Sequence, residues 1–208
     1  QVVMITKEDI LFITKETKKI QNLFASGNFD KVIKKYKNLL KKDPTQPIFY
    51  SMIGLSYRQL NNFKLAEKAF KSGLEARPNS ISILVNLGAL YRLQEKFNKA
   101  KKTLELALEI NTNHFSALVN YGNTLRDLNQ DSKAINYYKK ALSINDKNEI
   151  LLINLAGSYQ MIGDFEQSKK ILRKLHNEFP QNTVADQMYS AIHNYTVDKM
   201  HQNEMLDK

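Results

Sequence analysis

Three glycines recur at an interval of 34 residues, and no other feature of the sequence constrains the fold as strongly. Several residue types keep this interval, namely Gly54, Gly88 and Gly122, Tyr57 and Tyr91, Phe63 and Phe97, and Ala66, Ala100 and Ala134. A short unit that repeats in this way cannot bury its apolar face alone and must stack on its neighbours. The interval therefore predicts an array of stacked units.

Extending the same register in both directions predicts five units, namely 13–46, 47–80, 81–114, 115–148 and 149–182. Residues 1–12 are predicted to be an N-terminal extension or helix. Residues 183–208 are predicted to be a capping helix and the start of a following region, because apolar side chains can share one of its sides: Ala185, Met188, Tyr189, Ala191 and Ile192. The chain begins at Gln1 and ends in a charged, helix-compatible stretch, so we expect it to be part of a longer protein.

Within each unit the apolar residues follow the periodicity of two amphipathic helices. In the third unit, Leu84, Leu87 and Tyr91 share one face of a first helix, and Ala100 and Leu104 share one face of a second. Polar turn residues separate the two helices, at 61–62, 94–96, 129–131 and 163–164. Prolines lie between units, at Pro44, Pro78 and Pro180. Each unit is therefore predicted to be a helical hairpin.

The second unit carries the fullest set of repeated residues: Tyr50, Ile53, Gly54, Tyr57, Phe63, Ala66, Phe70, Gly73, Leu74 and Pro78. These spacings resemble the tetratricopeptide repeat family, and the resemblance covers 170 of the 208 residues. It implies an all-α, right-handed superhelical solenoid of antiparallel helix pairs, with about five repeats and a C-terminal capping helix. Departures occur at Leu125, Asp131 and Ala156, where other units have Tyr, Phe and Gly.

The residue inventory offers little for catalysis. The chain has no cysteine, its four histidines have no partner at helical metal-binding spacing, and no glycine-rich phosphate loop occurs. We therefore expect no enzyme activity, cofactor or metal in this chain, while the activity of a longer parent protein stays open. No stretch approaches the roughly 20 apolar residues of a membrane helix, so we expect a cytoplasmic protein without a membrane partner.

Polar residues also recur at the repeat interval on the first helices. Asparagines lie at Asn86, Asn120 and Asn154, and arginines lie at Arg58, Arg92 and Arg126. A carboxamide can pair with both the N–H and C=O of an extended peptide, and a guanidinium suits acidic groups. The asparagine row resembles that of the O-linked N-acetylglucosamine transferase family, which implies peptide binding. These six residues and Asn123 are the predicted peptide-binding residues, in a groove along the concave face.

Two structural interpretations compete with this groove. The asparagines could form hydrogen bonds between repeats without a ligand, and the arginines could be exposed residues that stabilise the negative ends of their helices.

Three functions follow from the sequence. The first is a protein-interaction scaffold that binds an extended peptide or protein segment, with acidic partners favoured by the formal net charge of +10. The alternative is the substrate-recruiting N-terminal arm of a larger bacterial transferase, a glycosyltransferase or sulfotransferase, as the asparagine row implies by resemblance. A weaker alternative is electrostatic binding of nucleic acid through lysines on the second helices.

Overall fold

A computed structural model describes residues 6–206 of the chain and the side chains of residues 6–194. The described residues form eleven α-helices: α1 (Lys7–Ala25), α2 (Phe29–Leu40), α3 (Pro47–Gln59), α4 (Phe63–Ala76), α5 (Ile81–Leu93), α6 (Phe97–Ile110), α7 (Phe115–Asp127), α8 (Asp131–Ile144), α9 (Glu149–Met161), α10 (Phe165–Glu178) and α11 (Thr183–Leu206). Helices α1–α6 belong to one compact unit that ends at Thr112, and α7–α11 belong to a second that begins at Asn113. In both, consecutive helices pack as hairpins, as expected of an all-α repeat.

The helix bounds follow the repeat interval. Helices α3, α5, α7 and α9 begin at residues 47, 81, 115 and 149, which are the first residues of four predicted units. Helix α1 begins earlier, at Lys7, because Thr6 and Asp9 form a reciprocal capping box that satisfies free N–H groups of its first turn. Half of the predicted extension 1–12 is thus part of α1, and its residues 1–5 lie outside the described residues.

Each hairpin turns through one residue with positive φ. This residue is Gly27, Asn61, Glu95, Asn129 or Gly163. After α5, the N–H of Lys96 donates to the carbonyl of Tyr91 at 2.8 Å and the N–H of Glu95 donates to that of Arg92 at 2.9 Å. This is the Schellman arrangement, in which a left-handed residue ends the helix.

Glu95 is the one turn residue in the described chain whose side chain disfavours this conformation, since glycine and asparagine adopt it readily. Glu95→Gly is therefore expected to stabilise the chain by about 0.5–1 kcal/mol, once the greater freedom of glycine in the unfolded chain is subtracted. Urea unfolding followed by circular dichroism measures the change. Gln94→Gly, one residue earlier and with negative φ, is the control and should destabilise the chain.

The repeated glycines allow the two helices of a hairpin to approach closely. A Cβ atom on Gly88 would lie 2.6 Å from Cγ of Leu104, and one on Gly122 would lie 2.5 Å from Cε1 of Tyr138. In the fifth hairpin the same position is Ala156, which is fully buried and whose carbonyl accepts a hydrogen bond from the hydroxyl of Ser168. The small residue at this position thus determines how closely the second helix of a hairpin packs against the first.

Helix α11 covers the end of the second unit. Ala185 and Ile192 are buried in a cluster with Leu152, Leu172 and Leu175, which is the contact expected of a capping helix. Ala191 was predicted on the same side but is exposed, because positions 185, 188, 189 and 192 already fill the buried stripe. Within predicted region 183–208, residues 207–208 and the side chains after 194 lie outside the described residues.

In the part of the chain that the structure describes, no helix combines the length and the apolar character needed to cross a membrane.

Candidate functional site

The predicted asparagine row lies on three first helices. Asn86 is on α5, Asn120 on α7 and Asn154 on α9, and all three are half-buried. The Nδ2 of Asn120 donates to the carbonyl of Ser116, one turn earlier in its own helix, at 2.8 Å. The three residues therefore share a helix position but differ in their hydrogen bonds.

A network of side chains joins α7, α8 and α9 in the second unit. The Nη1 of Arg126 donates to Oδ1 of Asn154 at 3.0 Å, and Nδ2 of Asn154 donates to Oδ1 of Asn123 at 3.0 Å. The same Asn123 oxygen accepts the hydroxyl of Tyr138 at 2.7 Å. Three predicted site residues are thus connected, and Asn154 forms the hydrogen bonds between repeats that the first structural interpretation proposed.

Arg126 also faces a buried carboxylate. Its Nε lies 3.7 Å from Oδ1 of Asp131, which is 8% exposed. That distance permits an ion pair but not a hydrogen bond, and Oδ1 accepts none from the described residues. Asp131 stands where other hairpins carry Phe63, Phe97 and Phe165. The guanidinium therefore has an internal counter-ion.

Gly157 on α9 lies beside this guanidinium. A Cβ atom on Gly157 would lie 3.7 Å from Nη2 of Arg126 and 3.9 Å from the methyl carbon of Met188 on α11. Nη2 has no hydrogen-bond partner among the described residues. A donor group without a partner in the described range thus lies beside α9 at Gly157.

The first unit lacks this network. Arg58 in the last turn of α3 and Asn86 on α5 are half-buried, and neither makes a hydrogen bond or ion pair with residues in the described range. Leu55 and Ala89 occupy the helix position that Asn123 has in the second unit. Arg92 lies in the last turn of α5.

An open cavity of about 630 Å³ lies between α1 and α3, the first helices of the first two hairpins. Its lining includes the apolar side chains of Ile13, Ile48 and Phe49 and the polar side chains of Thr17 and Gln46. A mixed lining of this kind can contact both the side chains and the backbone of an extended segment.

Sequence reasoning assigned Tyr138 only to packing, left Asp131 as a departure from the repeat and did not consider Gly157. One signal was available for the first two. The repeat that carries Asn123 is also the repeat in which a phenolic hydroxyl replaces Phe70 or Leu104 and a carboxylate replaces the aromatic residue. Joint departures within one repeat indicated a shared contact.

Three family models, each described as a tetratricopeptide repeat, match residues 48–80, 79–147 and 125–192, and together they span residues 48–192. The chain belongs to the tetratricopeptide repeat family. As a tetratricopeptide repeat protein it is a protein-interaction scaffold, which confirms the coarse function predicted from the sequence. The family also confirms the predicted fold class.

Solved tetratricopeptide repeat structures share this fold. MamA from Desulfovibrio magneticus RS-1 is 16% identical with a TM-score of 0.70, over 86% of this chain and 99% of that chain. YrrB, described as a TPR protein with an unusual peptide-binding site, is 17% identical with a TM-score of 0.68, over 83% and 89%. A tetratricopeptide repeat protein from Parabacteroides merdae is 22% identical with a TM-score of 0.71, over 91% and 75%. No curated protein sequence matches the chain.

Proposed function

We propose that this tetratricopeptide repeat protein binds extended peptide segments along the first helices of each unit, on α3 and α5 in the first unit and, separately, on α7 and α9 in the second. The observation that carries the proposal is the network of Arg126, Asn154 and Asn123, which orients two carboxamides across neighbouring first helices. Groups that are already oriented lose less freedom when a peptide binds.

The network leaves hydrogen-bonding capacity for a ligand. Asn154 uses one lone pair for Arg126 and one N–H for Asn123, so one amide hydrogen and one lone pair stay available. Asn123 uses its oxygen twice, while its Nδ2 has no partner among the described residues. Such groups fit the alternating N–H and C=O groups of an extended backbone.

The arginines favour different peptide groups. Arg126 is partly neutralised by Asp131, so its Nη2 beside Gly157 suits a backbone carbonyl oxygen. Arg58 has no such counter-ion, because the residue at the position of Asp131 in its repeat is Phe63. We therefore assign acidic side chains of the peptide to Arg58. The cavity between α1 and α3 supports the same use of the first helices. The peptide-binding site named for YrrB supports peptide binding as the function.

A peptide selected on an array of 12-residue sequences and labelled with fluorescein provides the test, with affinity measured by fluorescence anisotropy. Asn86→Ala combined with Arg58→Gln is expected to weaken its binding by about tenfold or more, because two polar contacts are lost. The melting temperature should not change, since neither side chain has a partner in the described protein.

Asn98→Ala is the matched control, because Asn98 is an exposed asparagine on α6, a second helix of the same unit. It should leave peptide affinity unchanged. Equal affinity of all array-selected peptides for the parent chain and the double variant would refute a peptide contact with α3 and α5 of the first unit.

A further inference from the structure

Glu67 on α4 links a lysine to a tyrosine of the next hairpin. Its Oε1 accepts the hydroxyl of Tyr91 at 2.9 Å and lies 2.7 Å from Nζ of Lys71. The ammonium group of Lys71, and then the hydroxyl of Tyr91, hold the pKa of Glu67 below its ordinary value. The lysine and tyrosine at these positions thus bind a carboxylate.

One repeat earlier the same pair is present without the carboxylate. Lys37 and Tyr57 precede Lys71 and Tyr91 by 34 residues, while the position of Glu67 is taken by buried Ile33. Nζ of Lys37 donates to the hydroxyl oxygen of Tyr57 at 2.9 Å. The hydrogen of the Tyr57 hydroxyl has no acceptor among the described residues.

A cavity lies directly beside this pair. It is an open cavity of about 300 Å³ lined by residues of α2, α3 and α4. Leu40, Ile53 and Leu65 give it apolar walls, and Lys68 and Ser72 on α4 add a second ammonium and a hydroxyl. The cavity can therefore hold an acidic group together with an apolar neighbour.

The residues that line the cavity include no carboxylate to compensate its positive charge. Lys37 and Lys68 have no ion pair within the described chain, and α3 contains no acidic residue. On α4, Glu67 is bound to Lys71 and Tyr91, and Glu75 does not line the cavity. On α2 the acidic residue is Asp30, in the first turn, and it does not line the cavity. An incoming anion would therefore meet no carboxylate in the cavity lining. Burial, and then the charges of Glu75 and Asp43, raise the pKa of Tyr50, which also lines the cavity.

We propose that this cavity binds the carboxylate of a glutamate side chain from an acidic partner segment, placed against Lys37 and Tyr57 as Glu67 is placed against Lys71 and Tyr91. Lys68 faces the same carboxylate from α4, and an apolar residue beside the glutamate contacts Leu40, Ile53 and Leu65. The site takes its lysines from the second helices α2 and α4. It shares α3 with the proposed site on the first helices but uses none of that site's polar residues, so it does not depend on it.

The probes are two blocked tripeptides, Leu-Glu-Leu and Leu-Gln-Leu, titrated into the isotope-labelled full chain and followed by amide chemical shifts. Leu-Glu-Leu should shift the amides around Lys37, Tyr57 and Lys68, and Leu-Gln-Leu should bind about tenfold more weakly or not at all. Lys37→Gln should weaken Leu-Glu-Leu binding by about tenfold or more, and Tyr57→Phe should weaken it to a smaller extent.

Lys71→Gln is the matched control, because Lys71 has the same repeat position as Lys37 but already forms an ion pair with Glu67. It should leave the titration unchanged. Equal weakening by Lys37→Gln and Lys71→Gln would mean general attraction to lysines and would overturn the proposal. No shifts at millimolar Leu-Glu-Leu, or equal binding of the glutamine peptide, would also overturn it. If Asn86→Ala combined with Arg58→Gln abolished Leu-Glu-Leu binding and Lys37→Gln did not, the peptide would be assigned to the first helices and the proposal would be overturned.

Discussion

Replacing Phe70 by alanine is expected to destabilise the chain by about 3–5 kcal/mol, the range found for large buried aromatic residues. Phe70 is fully buried, and its ring fills the space that a Cβ atom on Gly54 would occupy. It also belongs to a cluster with Ile83 and Leu87 of the next hairpin. The substitution therefore opens a cavity inside one hairpin and weakens its contact with the next. Urea unfolding with circular dichroism gives the change.

Phe12→Ala serves as the control for this prediction, because Phe12 is a phenylalanine that is 47% exposed on α1. Its loss should cost less than about 1 kcal/mol, since little apolar surface leaves a packed environment. A cost for Phe70→Ala as small as that for Phe12→Ala would contradict the close packing of α4 against Gly54.

Arg126→Met is expected to destabilise the second unit by about 2–4 kcal/mol, although Arg126 is only half-buried. The change leaves the carboxylate of Asp131 buried without a counter-ion and takes a donor from Asn154. An isolated buried charge costs more than the intact ion pair contributes, so most of the loss comes from Asp131. Urea unfolding of the full chain measures it.

Adding Asp131→Phe restores the aromatic residue that the other hairpins have and removes the stranded carboxylate. The double variant Arg126→Met and Asp131→Phe should therefore recover most of the lost stability, and a double-mutant cycle should give a coupling of about 1–3 kcal/mol between the two positions. Additive effects of the two substitutions would contradict an energetic link between Arg126 and Asp131.

Two functions suggested by the sequence stay predictions. Electrostatic binding of nucleic acid through lysines of the second helices predicts an affinity that falls steeply with salt. A substrate-recruiting arm of a transferase predicts a catalytic domain in the same gene after Lys208, which the gene sequence would reveal. Both are compatible with a tetratricopeptide repeat fold, because a fold alone does not define a function.

The helices and their pairing could be predicted from the sequence because both depend on local and regularly repeated features. Apolar spacing within Leu84, Leu87 and Tyr91 defines a buried helix face wherever the helix lies. The interval of 34 residues then requires each hairpin to pack on an equivalent neighbour, as seen where Phe70 clusters with Ile83 and Leu87 of the next hairpin. The exposure of Ala191 shows the limit of this reasoning. Apolar spacing predicts that a helix has a buried face, but it does not predict which residue at the border of that face is exposed.

The partners of the polar residues were decided by the tertiary structure. Arg126 and Asn154 are 28 residues apart, so their contact depends on how α9 stacks on α7 rather than on any spacing within a helix. The two repeated rows were visible in the sequence. It was not visible that Arg126 would bind one of the asparagines, while Arg58 has no partner among the described residues. The contrast between Lys37 and Lys71 has the same cause, because one carboxylate at position 67 is enough to occupy a lysine that the repeat pattern makes equivalent to its neighbour.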